Sequence, residues 1–173
     1  MKHNGKILKK IGKSKIIDCK YCKFIHVLPL PSKNELSHLY KKNYYSNVKP
    51  NYIKKYQKEL PYWNLIFDEK LDFLSTKIKT KSIFDLGSGS GYFLKRAKER
   101  GWKINGIEPN VIAVNHSKKL GVSVINDFFE NLNIDDMKQV NAINLFDVLE
   151  HVHNPIQLLK NCRKLLKSKG IIV

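Results

Sequence analysis

The stretch SIFDLGSGSGYFL, Ser82 to Leu94, limits the fold more than any other part of the chain. A short apolar run ends in Asp85, glycines follow at 87, 89 and 91, and an amphipathic pattern begins at once. That order of strand, glycine turn and helix is the opening βα unit of sheets that hold nucleotide-like ligands at their strand ends.

The rest of the C-terminal half repeats the alternation. SIFDL, WKINGIE, VSVIN, NAINLFD and the terminal IIV read as strands. GYFLKRAKERG, NVIAVNHSKKLG and NPIQLLKNCRKLLKSKG read as helices, the first two closed by Gly101 and Gly121, the third with Pro155 in its first turn and Gly170 after its end. Apolar strands without strict alternation predict an α/β, Rossmann-like fold whose parallel sheet is covered on both faces. Phe67, Leu71, Leu74 and Ile78, spaced i, i+4, i+7, i+11, predict an amphipathic helix over 61–78 ahead of the glycine turn. Residues 1–58, rich in lysine and tyrosine and broken by LPLPSKNEL and Pro50, read as a cap without a core of its own, and 59–173 as the ligand-binding domain. The sequence stops within its fifth strand, so the expectation is an incomplete domain, a fragment, with an exposed sheet edge.

The glycine turn discriminates between ligands. A dinucleotide fingerprint needs G-x-G-x-x-G, but Tyr92 stands where its third glycine belongs, and no G-K-[ST] follows to make a P-loop. The Asp85 carboxylate would repel a pyrophosphate and suits a cation instead. S-adenosylmethionine carries a sulfonium and an ammonium group and no phosphate, and its methionine part needs the close backbone approach that glycine allows. Glu108, ending GIEPN, is placed to accept the two ribose hydroxyls. Asp127 in INDFFENL can accept from the adenine amine while Phe128 packs on the base. NLFDVLEHVHNP puts Phe146, Asp147, Glu150, His151 and His153 at the mouth of the sheet.

The formal charge of +17 invites a nucleic-acid partner. Arginine, the residue for bidentate phosphate and guanine contacts, occurs only at 96, 100 and 163, and a lysine-rich solvated surface is the simpler account. The basic N-terminus lacks the apolar run of a signal peptide and no window reaches bilayer length, so a soluble cytoplasmic protein without membrane insertion is expected. Cys19, Cys22 and Cys162 do not suggest a disulfide framework.

Taken in order, these four stretches resemble class I S-adenosylmethionine-dependent methyltransferases, and among them the group similar to ubiquinone-biosynthesis O-methyltransferases, whose fourth strand ends in a string like DVLEHV, 147 to 152. The resemblance covers roughly residues 60 to 173 and implies that S-adenosyl-L-methionine is held by Asp85, Gly87, Ser88, Gly89, Gly91, Glu108, Asp127, Phe128 and Asp147. It implies methyl transfer to a small-molecule oxygen, carbon or nitrogen, with His151 as the candidate base for a hydroxyl acceptor. Asp147, Glu150 and His151 also match the acidic-x-x-Glu-His string by which some relatives hold a divalent ion. No Pro-Pro-Tyr motif follows the fourth strand, which disfavours transfer to a nucleobase amine. A cofactor-binding fragment without turnover, an RNA or DNA methyltransferase and a NAD oxidoreductase are the rival classes. CKYCKFIHVLPLPSKNELSHLY resembles half of a zinc ribbon found ahead of some methyltransferases; Cys19 and Cys22 have knuckle spacing for zinc, with His3 or His26 as further candidates, but no second C-x-x-C exists. Tyr44 and Tyr45 are candidates for a lid over the sulfonium.

Overall fold

A computed structural model describes residues 3–173. The cap opens with β1 (Gly5–Ile11), β2 (Ser14–Cys19) and β3 (Ile25–Leu28), an antiparallel meander in that order. It has a small core, Ile17, Cys19 and Cys22, with Phe24, Leu28 and Ile156 packed against it. This differs from the expectation of a cap with no core. The lysines of KILKKI leave β1 largely solvated, so the hydrophobic alternation that announces a strand is missing there. After it, Ser32 and Glu35 form a reciprocal capping box that starts α1 (Lys33–His38). The chain continues through a π-helical stretch, Leu39–Val48, then α2 (Tyr52–Lys58) and α3 (Leu60–Lys77). On α3 the predicted face is the buried one: Phe67, Leu71 and Leu74 face inward, and Ile78 follows them into the core.

The second sheet is parallel, in the order β5 (Lys103–Ile107), β4 (Ser82–Leu86), β6 (Val140–Asn144), β7 (Leu166–Ile172). Between these strands run α4 (Tyr92–Glu99), α5 (Val111–Lys119) and α6 (Pro155–Leu165). Side chains alternate across β4, so Ile83 joins a cluster with Phe67, Leu71, Leu74, Phe93 and Ala97, while Phe84 and Leu86 join Ile143, Leu158 and Leu165 on the other face. Both faces are therefore buried, as a parallel sheet requires. Arg96 on α4 and Arg100 at its C-terminal cap bind Asp68 and Asp72 of α3, clamping the two helices together.

Two elements depart from expectation. VSVIN joins the β5 edge by a single parallel bridge, Ile107 to Ile125, through bonds from Ile125 N to Gly106 O and from Glu108 N to Ile125 O. The helix expected up to Lys169 ends at Leu165, because Leu166 is buried and pairs with Val140; Lys167 to Gly170 then bulge out, with Lys169 at φ +63°, before Ile171 pairs with Ala142. The chain leaves β4 for β5 on one side and returns to β6 on the other, so the crevice between the ends of β4 and β6 is the topological switch point.

Candidate active site

A cavity of about 870 Å³ opens at this switch point, within the size range of small-molecule and cofactor sites. Asp85 sits in register between Gly106 and Asn144, so the carboxylate that ends β4 is walled in by both neighbouring strands. It is 2% exposed and accepts a bond of 2.7 Å from Asn144 Nδ2. Burial pushes the Asp85 carboxyl up to about 7, although the Asn144 bond and the nearby Lys70 ammonium pull it down; Glu108 adds to the rise. Beyond it the backbone runs at φ +64° for Gly87 and +53° for Gly89, a left-handed path that L side chains rarely take, and so turns the loop tightly over the strand ends.

Gly91 is placed differently from the other loop glycines. It does not line the cavity; it starts α4 at φ +84°, and a Cβ there would lie 2.5 Å from Ser117 Oγ on α5. The physical reason for this glycine is close helix packing.

Glu108 directly follows β5 and is 6% exposed. Its Oε2 accepts from Gly89 N and its Oε1 from Asn110 N, both at 2.9 Å, so one side chain braces the glycine turn against the start of α5. Burial raises its carboxyl to about 7, against those two backbone bonds. Each oxygen keeps a lone pair for a hydroxyl donor. Asp127 and Phe128 line the same cavity; Asp127 Oδ1 accepts from Phe128 N and Asn131 Nδ2, and the Lys41 ammonium lies 5.4 Å over the Phe128 ring. Ser88 Oγ and Asn144 Oδ1, both buried, have no hydrogen-bond partner among the described residues, and both residues line the cavity.

The end of β6 supplies the opposite wall. Asp147 lies there at φ +52°, a conformation more tolerable for Asp than for most L residues. Its neighbours Phe146, Val148, Glu150 and His151 also line the cavity. His151 is exposed, with Nε2 3.8 Å from Glu150 Oε1 and its ring 5.8 Å from that of Tyr40. Asp147, Glu150 and His151 do not converge as a metal cluster. Among the described residues the only group of three or more His, Cys, Asp and Glu ligand atoms close enough for one ion lies elsewhere, in the cap. His153 reaches the cap, its Nδ1 donating to the Pro31 carbonyl at 3.2 Å, while Asn154 caps α6.

The cap roofs the cavity with aromatic rings. Tyr40, Tyr44, Tyr45, Tyr52 and Tyr56 form a chain of contacts with successive centroids 5.2 to 5.5 Å apart. Tyr45 is buried with its hydroxyl against Gly89, and burial holds its phenol well above the ordinary tyrosine range. Asn110 fastens this roof: Nδ2 donates to the Tyr40 and Lys41 carbonyls while Oδ1 accepts from Ile112 N at the start of α5. Nothing in the sequence pattern alone marks Asn110, Asn144 or Lys70 as site residues. Lys70 lies 3.9 Å from the centroid of Phe146, and burial lowers its pKa against the pull of Asp85 and Asp147. Each follows or opposes a motif position, yet only the strand register shows that Asn144 faces Asp85.

Parallel strand order, a glycine turn at the switch point and acidic ends on adjacent strands define a Rossmann-like domain of the methyltransferase class. The family described as "Methyltransferase domain" matches residues 55–173, and the chain belongs to that family. Among curated proteins it is 25% identical over 150 residues to the ubiquinone biosynthesis O-methyltransferase of Actinobacillus pleuropneumoniae serotype 5b (strain L20), across 73% of this chain and 64% of that protein. The Vibrio vulnificus (strain YJ016) protein of the same name is 24% identical over 143 residues, across 72% of this chain and 61% of its own. The chain thus spans under two thirds of these relatives' length. Of solved structures, the plantazolicin methyltransferase BpumL in complex with a monoazolic desmethylPZN analog and SAH superposes with a TM-score of 0.64 at 21% identity, covering 79% of this chain and 55% of that one. The magnesium protoporphyrin IX methyltransferase of Synechocystis PCC 6803 with bound SAM gives 0.53 at 14%, covering 64% and 58%. Both share the fold. No helix among the described residues is long and apolar enough to cross a membrane.

Proposed function

We propose that this domain binds S-adenosylmethionine in the cavity and transfers its methyl group to a small-molecule oxygen, carbon or nitrogen, in the cytoplasm. One observation carries the reading: two buried carboxylates, Asp85 and Glu108, end adjacent strands on either side of a glycine turn. A pyrophosphate would meet negative charge there that Lys70 offsets only in part, whereas a sulfonium and an ammonium group meet the charge they need. The orphaned Ser88 Oγ and Asn144 Oδ1 supply polar contacts that the protein itself leaves open.

In this reading Asp85, Gly87, Ser88 and Gly89 hold the methionine part, Glu108 the ribose, and Asp127 with Phe128 the adenine, with Asp147 beside them. When bound, the cofactor supplies an activated methyl group. The chain's own residues position and protect. The tyrosine roof excludes water, and His151 at the rim accepts the proton of a hydroxyl acceptor, its imidazole held beside Glu150 and Tyr40. The named relatives include O-methyltransferases of ubiquinone biosynthesis, which supports a small acceptor. Arg96 and Arg100 are tied up in ion pairs with α3, so two of the three arginines are withdrawn from any phosphate-binding surface.

Isothermal titration with S-adenosylmethionine and S-adenosylhomocysteine tests the binding half. Saturable binding of both, followed by transfer of labelled methyl to candidate acceptors, is the expected result; no heat at millimolar ligand overturns it.

A further inference from the structure

In the cap, four side chains from three separate places in the sequence meet at one point. His3 precedes β1, Cys19 ends β2, Cys22 lies in the turn, and His26 lies on β3. The register brings them together: Gly5 pairs with Cys19, and Ile17 with His26. The turn itself is a knuckle, closed by Lys23 N donating to Cys19 O at 3.0 Å and Cys19 N to Phe24 O at 3.1 Å, with Lys23 at φ +64°. Both sulfurs belong to buried residues, and one ligand atom from each of the four residues lies within 4.8 Å of all the others.

We propose that His3, Cys19, Cys22 and His26 form a closed tetrahedral Zn²⁺ site that staples the cap. Zinc bonds of about 2.3 Å to sulfur and about 2.05 Å to nitrogen at the tetrahedral angle put two nitrogens about 3.3 Å apart and a nitrogen and a sulfur about 3.6 Å apart. The structure has His3 Nδ1 3.1 Å from His26 Nε2 and 3.5 Å from Cys19 Sγ. The His26 ring is oriented from behind: Nδ1 lies 3.0 Å from the Val27 carbonyl, which takes the Nδ1 proton and leaves the Nε2 lone pair facing the cluster. Among the described residues no carboxylate takes part, and two thiolates with two neutral imidazoles make a neutral site with Zn²⁺, the two thiol protons passing to solvent.

The cap needs such a staple. Among the described residues the meander and its turn bury only Ile17 and the two cysteines, too little apolar surface to fix three short strands. Ile156 of α6 packs on this cluster and His153 reaches Pro31, so the site also seats the cap on the domain. From β3 the chain leads through α1 to the tyrosine roof.

The test is metal analysis of the full chain purified under reducing conditions without chelator. About one zinc per chain is expected, and Co²⁺ exchanged into the wild-type protein should give the visible bands and thiolate charge transfer of a tetrahedral S₂N₂ site. Cys19→Ser, Cys22→Ser, His3→Ala and His26→Ala should each lose zinc by tenfold or more, while Cys162→Ala keeps it. The wild-type cobalt spectrum decides the matter even where a variant fails to fold. Substoichiometric metal, an octahedral cobalt spectrum, zinc retained without Cys19 and Cys22, or a Cys19–Cys22 disulfide in the reduced preparation would each overturn the site. None of these readouts depends on methyl transfer.

Discussion

Asp85→Asn separates the charge at the base of the cavity from its shape. Asp85 and Glu108 both have carboxyls raised by burial to about 7, so between about pH 4 and about pH 7 the folded protein binds more protons than the unfolded chain. The sign follows: without ligand, stability is greatest at the acid end of that window and falls as pH rises through it. For Asp85 the rise from 3.8 to about 7 corresponds to roughly 4 kcal/mol of penalty on the ionised form. Asparagine removes that penalty at constant size. Its carbonyl still accepts from Asn144 Nδ2, and its own amide can donate to the orphaned Asn144 Oδ1. Asp85→Asn should therefore stabilise the ligand-free protein at about pH 8 by roughly 1–3 kcal/mol, or about 3–10 °C in Tm, and flatten the pH dependence. Cofactor affinity should move the other way, falling roughly tenfold or more as the favourable charge is lost. Thermal melts across the pH range, paired with titration calorimetry, read both effects. A variant less stable than wild type at alkaline pH, or one that binds the cofactor equally well, refutes the reasoning.

Other substitutions probe separate parts of the site. Gly91→Ala must place a Cβ 2.5 Å from Ser117 Oγ at φ +84°, and should cost roughly 1–3 kcal/mol in denaturant melts without removing a ligand contact. Asn110→Ala deletes the α5 cap and the bonds to Tyr40 and Lys41, so amide exchange should quicken over 39–48 and stability should drop by about 1–2 kcal/mol. His151→Gln should lower kcat for a hydroxyl acceptor by roughly 10²–10⁴ with cofactor Kd unchanged; an equal loss of cofactor binding would make His151 a structural residue instead.

The parallel domain was legible because its chemistry is local. Each strand is a short apolar run, and Asp85 and Glu108 follow from their positions at strand ends. VSVIN and the end of α6 were less legible, since a single bridge and a bulge depend on the neighbouring strand rather than on their own residues. Gly91 resembles its neighbours in the motif, and only the approach of Ser117 shows that it serves helix packing. Asn144 and Lys70 gave no signal of their own; Asn144 acts through register with Asp85, and Lys70 through the packing of α3 against the strand ends. In the cap, a lysine-covered strand hid the meander, and with it the register that carries His3 and His26 to the two cysteines.

The central claim is that the cavity at the ends of β5, β4 and β6 is a cofactor site built on two buried carboxylates. Calorimetric titration of S-adenosylmethionine into the wild-type chain at about pH 6 and about pH 8, in buffers of different ionisation heat, tests it most directly. The account predicts saturable binding that tightens with pH and releases protons, and its loss in Glu108→Ala. Absence of binding at millimolar ligand, or affinity independent of both pH and Glu108, would contradict it.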